Sequence, residues 1–203
     1  MPLDPTIPLL RDRLAASRGA LAAAPDLRLR CLESAAPAPA ELRWGRHESP
    51  FGPVLAAAAE GGLCWLNFIQ DGEADALERL AKAWPASRLV DDPAATAEAV
   101  ALAFQPARMP SEPLPLRLRG TPFQLAVWRM LLRIPRGALV TYSDLAAAVG
   151  RPKAVRAAGS AVGANPVAVL VPCHRVIGKA GFPYKYAGGP ERKRALLAWE
   201  LAP

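Results

Sequence analysis

The sequence is poor in the side chains from which metal sites and disulfide frameworks are built. It contains two histidines, His47 and His174, and three cysteines, Cys31, Cys64 and Cys173. The wide cysteine spacing gives neither a zinc ligand set nor a paired framework. No metal and no cofactor is expected, and a reducing cytoplasm suits the free thiols. Long hydrophobic runs are also missing. No apolar stretch is long enough to span a bilayer, and Met1–Leu10 is broken by Pro2, Pro5 and Pro8 with no basic segment before an apolar run. Neither a membrane span nor a signal peptide is therefore expected. Acidic residues are scarce in one half only. Residues 107–203 carry 15 basic and 4 acidic side chains, a net of +11, against 10 basic and 14 acidic in residues 1–106, a net of −4. A basic half joined to a mildly acidic half points to a polyanion, nucleic acid above all, as partner of the basic half alone.

What is present is enough for a packed protein. Hydrophobic residues make up 52% of the 203 positions, which excludes a disordered chain. Residues 1–40 read as an N-terminal extension and linker, with a short amphipathic helix at Arg11–Ala24 and a Pro/Ala segment at Ala35–Ala40. Residues 41–106 read as a small α/β domain. Its strands are expected at Leu42–Trp44, Val54–Ala59 and Leu63–Phe68, with turns at Pro50-Phe51-Gly52-Pro53 and Gly61-Gly62, forming a short antiparallel sheet. Its helices are expected at Ala74–Ala83 and Ala94–Phe104. Cys64, between Leu63 and Trp65, reads as a core residue and not a nucleophile. A second proline cluster (Pro106, Pro110, Pro113, Pro115) marks the boundary to residues 107–203.

Beyond it the pattern turns helical. Phe123, Val127, Met130 and Leu131 fall along one side of a helix at Pro122–Leu132. Next, Ser143 suits an N-cap, Gly150 suits a left-handed helix end, and Pro152 suits the opening of another helix. Helix, tight turn, helix in a basic domain outlines a helix-turn-helix. The second helix carries small side chains: Ala154, Ala157, Ala158, Gly159, Ser160 and Ala161. Two readings stay open. Small residues allow close helix–helix packing, and they also let a helix backbone press into a minor groove, with Arg156 as the long side chain available for insertion.

The most specific segment is Val171-Pro172-Cys173-His174-Arg175-Val176. Pro172 puts the cysteine at a rigid bend after an apolar strand, Val167–Val171. Positive neighbours are expected to lower the thiol pKa. The helix Glu191–Ala202 carries Glu200, an acid able to orient a histidine, so Cys173, His174 and Glu200 form a candidate base-activated nucleophile.

Taken together, Gly120-Thr121-Pro122-Phe123-Gln124, Val127-Trp128, Ile134-Pro135, Gly137, Tyr142, Leu145-Ala146, Gly150, Pro152, Ala154, Arg156, Gly159, Asn165-Pro166, Pro172-Cys173-His174-Arg175-Val176 and Leu196-Leu197…Glu200 closely resemble the O6-alkylguanine-DNA alkyltransferase (methylated-DNA–protein-cysteine methyltransferase) family. The resemblance covers roughly residues 41–203, strongly after Gly120. It implies an α/β (α+β) fold: a small α/β domain, then a mostly helical domain with a helix-turn-helix. It implies direct, single-turnover transfer of an alkyl group, chiefly methyl, from O6 of guanine to Cys173, with O4 of thymine as a second target. The partner would be double-stranded DNA containing O6-alkylguanine, bound by a monomer without membrane or cofactor.

The resemblance also implies roles. His174 takes the thiol proton through a water, Glu200 holds His174, and Asn165 braces the turn before the cysteine. Arg156 fills the gap left by the rotated nucleotide, and Tyr142 lies at its phosphate. Tyr186 hydrogen-bonds the guanine ring, while backbone at Cys173 and Val176 reads its edge. Ala187 and Lys193 lie near the substrate, and Lys153, Ala157 and Gly159 contact DNA. The physics agrees: O6 is buried in the duplex, so the base must be extruded first.

The chain also departs from the family. The zinc-bound cysteine cluster of members that double as regulators is not in the sequence, which puts phosphotriester repair and transcriptional control in doubt. The Gly181–Gly189 loop holds Tyr184 and Lys185 where many members have small residues, and Ala168 replaces a proline found in some. Both changes lead to an expected resistance to O6-benzylguanine. Two rival readings are a Cys–His hydrolase, which would turn over repeatedly, and a lesion-binding protein without chemistry.

Overall fold

In the computed structural model the described residues are 6–17, 19–22, 29–33, 38–108, 112–180 and 186–201. In chain order the elements are α1 (Thr6–Ala16), β1 (Leu29–Glu33), β2 (Glu41–His47), β3 (Val54–Ala59), β4 (Gly62–Phe68), α2 (Glu73–Ala83), β5 (Arg88–Asp91), α3 (Ala94–Phe104), β6 (Leu114–Leu118), α4 (Pro122–Leu131), β7 (Val140–Thr141), α5 (Tyr142–Ala148), α6 (Val155–Gly163), β8 (Val176–Ile177) and α7 (Pro190–Leu201). Contacts divide the chain into two compact units. One holds residues 27–120 and 166–170; the other holds 1–26, 121–165 and 171–203. The three segments expected from the sequence, divided near residues 40 and 106, differ from this partition.

The first unit is built on a six-stranded sheet in the order β1-β6-β4-β3-β2-β5. The expected antiparallel meander is there as β2-β3-β4. The sheet as a whole is mixed, because β5 pairs parallel to β2, and β6 runs parallel to both β4 and β1. These added strands are short, and β5 is exposed or half-buried throughout. The turn between β3 and β4 needs glycine at position 62. Its φ is +137°, and a Cβ there would run into the Pro115 carbonyl on β6. Leu42, Leu55, Ala57 and Cys64 from the sheet meet Ala76, Leu80 and Trp84 from α2 and its C-terminal end in one buried cluster. Each large side chain buried this way contributes about 1.5–3 kcal/mol. Phe51 and Phe68 stack obliquely on Phe104 at the end of α3.

The apolar run Val167–Val171 is not a strand. Val167 makes one isolated bridge to Leu66, and Val169 sits at φ +69°. That is a conformation β-branched residues rarely adopt. The segment turns back on itself: Ala168 N donates to Leu66 O at 2.7 Å, and Leu170 N to Ala168 O at 2.8 Å. An apolar run of this length reads equally as a buried strand or a buried turn.

The second unit is helical. α4 begins with a capping box: the Thr121 hydroxyl accepts from Gln124 N, the Gln124 side chain accepts from Thr121 N, and Pro122 occupies the first turn. Such caps satisfy two otherwise orphaned amides. Val127, Trp128 and Leu131 turn inward, and the Trp128 indole donates to Ala161 O on α6 at 2.8 Å. α5 is capped by Thr141 with Asp144, not by the expected Ser143. Thr141 wins because the acid three residues on completes a reciprocal box, whereas Ser143 already lies inside the helix. Gly150 closes α5 at φ +74°, with its own N–H bonded to Ala147 O and that of Arg151 to Ala146 O. This double closure favours glycine at that position. Pro152 lies in the turn before α6, which starts at Val155 after the Ala154 cap.

Residues near the N-terminus are part of this unit's core. Leu10 on α1 is 3% exposed and packs with Leu139, Ile177 and Leu197. The Leu139 amide donates to the Ser17 hydroxyl at 2.9 Å, and the Arg11 Nε to Ala180 O at 3.0 Å. The expected helix at Arg11–Ala24 is displaced towards the N-terminus and followed by a 3-10 turn at Ala20–Ala22. Among the described residues no helix is long and apolar enough to cross a membrane.

Candidate active site

Cys173 opens a 3-10 turn, Cys173–Arg175, that leads into β8. β8 pairs with β7, which runs directly into the start of α5, so a two-stranded ladder fixes the turn beside the N-terminus of that helix. On the other side, Asn165 Nδ2 donates to Val171 O at 2.7 Å and closes the chain excursion of residues 166–170. Lys193 on α7 reaches back with its ammonium to Val176 O at 2.6 Å.

Cys173, His174, Lys193 and Glu200 are all buried, at 6%, 0%, 1% and 6% exposure. His174 Nε2 lies 2.8 Å from Glu200 Oε1. Burial alone would raise the Glu200 carboxyl, but hydrogen bonds from His174 and Arg175 hold it well below the ordinary carboxylate range. The carboxylate is therefore an acceptor, and His174 must carry its proton on Nε2. Burial lowers the His174 pKa despite the neighbouring carboxylate, so the resting imidazole is neutral. Its other nitrogen, Nδ1, is buried without a partner. A neutral histidine oriented by an acid with one lone pair open is able to act as a general base.

The thiol differs from the sequence expectation. Burial raises the Cys173 pKa, and the Asn165 side chain, the Lys193 charge and local backbone N–H groups offset only part of that rise. Positive neighbours exist, but full burial outweighs them, so Cys173 rests as a thiol and has to be deprotonated within the site. Tyr186 and Tyr142 are close enough to the sulfur to be disfavoured as phenolates, after burial itself. The Tyr186 hydroxyl is buried and has no hydrogen-bond partner of good geometry. It stays a protonated donor beside the Cys173 sulfur.

The other expected site residues divide into two sets. Val176 is fully buried, and Tyr142 is half-buried with its ring against the backbone of Gly159. Ala187 is exposed just before α7. Lys153, Arg156 and Ala157 are exposed on α6 and the turn before it. The small residues of α6 divide between two faces. Ala158 and Ala161 pack inward at 0% and 2% exposure, while Ala157 and Ser160 face outward. Tyr184 and Lys185, on which the narrow-pocket expectation rests, lie outside the described residues.

One participant was missed in the sequence. Arg175 grips Glu200 as well: Nε lies 2.9 and 3.1 Å from the two oxygens, and Nη2 lies 2.7 Å from Oε1, the oxygen that His174 also bonds. Its Nη1 donates to Ile134 O. The charge census held the signal, since Glu200 is one of 4 acids among 15 bases in residues 107–203. A buried acid there is expected to draw a guanidinium as well as an imidazole.

Comparison with known proteins decides the family. A model described as the DNA-binding domain of 6-O-methylguanine DNA methyltransferase matches residues 122–202. A methylated-DNA–protein-cysteine methyltransferase of Methanosarcina barkeri is 37% identical over 158 residues, which is 75% of this chain and 93% of the relative. The chain belongs to the methylated-DNA–protein-cysteine methyltransferase family. Within that family, an inducible member from Bacillus subtilis is 54% identical over 87 residues, 43% of this chain and 49% of the relative. A probable member from Acanthamoeba polyphaga mimivirus is 54% identical over 90 residues, 43% of this chain and 58% of the relative. The chain thus spans about half the length of these two relatives. Among solved structures, Mycobacterium tuberculosis OGT in complex with DNA superposes with a TM-score of 0.63 at 35% identity, covering 78% of this chain and 92% of that one.

Proposed function

We propose that this protein repairs alkylated DNA by moving the alkyl group from O6 of guanine, or O4 of thymine, onto Cys173 in one irreversible turnover. The observation that carries this reading is the buried row Cys173, His174, Glu200 with the His174 Nδ1 unpartnered. In it the thiol proton passes to Nδ1, directly or through a water, and Glu200 stabilises the imidazolium that forms. The thiolate attacks the alkyl carbon in line with the C–O6 bond. A sulfur–carbon bond forms, the carbon–oxygen bond breaks, and its electron pair moves into the purine. A proton returned to the ring gives neutral guanine, and the Tyr186 hydroxyl, a protonated donor beside the sulfur, suits a hydrogen bond to that leaving ring. The thioether is stable and nothing in the site regenerates the thiol, so one protein repairs one lesion.

A buried nucleophile can meet O6 only if the nucleotide leaves the duplex. α5, the Gly150 turn and α6 serve in this reading as a helix-turn-helix whose small residues, exposed Ala157 and half-buried Gly159, approach the minor groove. Arg156 enters the vacated stack, and Lys153 and Tyr142 meet the phosphates. Relatives named for methylated DNA and a neighbour solved with DNA support a duplex partner. The protein would act as a monomer in the cytoplasm, where thiols stay reduced. The test is stoichiometric: with excess duplex bearing O6-methylguanine, repair should stop at one lesion per chain. Continued turnover, or hydrolysis of acyl substrates, would overturn it in favour of a Cys–His hydrolase.

A further inference from the structure

Glu200 receives more than an orienting acid needs. Four donors converge on one buried carboxylate: His174 Nε2 and Arg175 Nη2 at Oε1, Arg175 Nε across both oxygens, and the Gly137 amide at Oε2, 3.3 Å away. Arg175 is itself fixed at its other end by the Ile134 carbonyl. We propose that Arg175 is a positioning residue that divides the charge of Glu200, so that His174 rests neutral with its proton on Nε2 and its Nδ1 lone pair open towards Cys173. This rests on the reading of His174 as the base for alkyl transfer.

The argument is one of competing charges in a water-poor site. A carboxylate paired with a buried histidine alone favours the imidazolium already in the resting state, because an opposite charge at hydrogen-bond distance is worth one to three pH units there. A base that is already protonated accepts nothing. The bidentate guanidinium supplies the counter-charge instead. Glu200 then still directs the imidazole and still stabilises the imidazolium when it forms, but does not create it beforehand. The groups that face His174 bear this out in direction: Arg175 from its own turn and Lys193 from α7 disfavour the charged ring, Glu200 from α7 favours it, and burial decides against it. Cys173 precedes it in the turn, with Tyr142 of α5 and Tyr186 close to the sulfur. The fork also keeps the carboxylate ionised, so Glu200 can only accept from the ring and the Nε2–H tautomer is held.

The experiment is nitrogen NMR of the histidine ring in the full-length protein, read with the pH profile of alkyl transfer. In the wild type His174 should show a protonated Nε2 and a bare Nδ1 at neutral pH. In Arg175→Gln its pKa should rise by about one to two units. The acid limb of the transfer rate should rise with it, while the alkaline plateau is largely kept. Arg175→Lys should restore most of the profile, because it returns the charge without the fork. In a Glu200→Gln background, removing Arg175 should move the histidine pKa less than it does in the wild type, because only the direct repulsion between the guanidinium and the imidazolium is then lost. A wild-type His174 that is already an imidazolium at neutral pH would overturn the proposal without any variant. So would an Arg175→Gln protein whose rate falls equally at every pH with the histidine pKa unmoved, the mark of a merely structural arginine. The ring measurement needs no DNA, so failure of the repair reading and failure of this one are distinguishable.

Discussion

Two buried cysteines, one in each unit, differ in what surrounds the thiol. Cys64 is fully buried in β4, donates to the Ala57 carbonyl, and is pushed up to about 12 by burial. Cys173 is almost as buried and burial raises it too, yet Asn165, Lys193 and two backbone amides act against that rise. Burial is therefore common to both. The difference is the next residue: His174 has a bare nitrogen and an acid behind it, while Cys64 is followed by Trp65 in an apolar strand. In the proposed mechanism, reactivity at Cys173 comes from a base that removes the proton on demand, not from a resting thiolate.

The largest test of that contrast is Cys173→Ser, which should bring alkyl transfer below detection and leave DNA binding intact. A hydroxyl is far less nucleophilic at neutral pH, and gel-shift and repair assays on the same protein separate the two effects. Glu200→Gln comes next. Removing the charge behind the base should slow transfer by about a hundredfold, the low end for a positioned proton acceptor. Single-turnover kinetics would read it, and a rate within a factor of two of wild type would remove Glu200 from the mechanism.

Arg156→Ala should lower the rate on duplex DNA by about tenfold or more, while reaction with free O6-methylguanine base, which needs no extrusion, stays near wild type. Equal losses on both substrates would make Arg156 a structural residue.

Lys193 gives a smaller effect, on stability. Burial holds its ammonium at about 8, below the ordinary 10.5. Between those values the unfolded chain binds more protons at this site than the folded one, so folding is favoured as pH rises through that window. The penalty of burying the charge is present in full below about 8. In a Cys173→Ser background, which removes the thiol's own titration, the stability of Lys193 relative to Lys193→Met should rise across that window by roughly 3 kcal/mol. A flat difference in denaturant melts would show that the amine is not buried as a charge. Smallest of all, Cys64→Ala should leave the transfer rate unchanged and cost about 1–2 kcal/mol of stability.

Much of this arrangement was legible in the sequence. β3 and α3 fall where apolar pattern and proline placed them, and β4 differs by one residue. The neighbours His174 and Glu200, 26 positions apart, do meet. What escaped notice has physical causes. β1, β5 and β6 are too short for periodicity to register, and their partners are distant in sequence. The run Val167–Val171 looks like a strand by composition alone, but only tertiary bonds to Leu66 show that it turns. The role of α1 rests on Leu10 filling a hole beside Ile177 and Leu197, which no local pattern near the N-terminus reveals. The raised thiol pKa depends on burial, which a list of neighbouring charges does not contain.

The central claim is that Cys173, and no other residue, takes up the alkyl group. It is tested most directly by the intact mass of the protein before and after incubation with a duplex carrying a single O6-methylguanine, followed by peptide mapping. The account predicts a gain of one methyl group per chain, located on the peptide that contains Cys173, with Cys64 unmodified. A mass that does not change while the lesion disappears, or a methyl group found on Cys64, would contradict it.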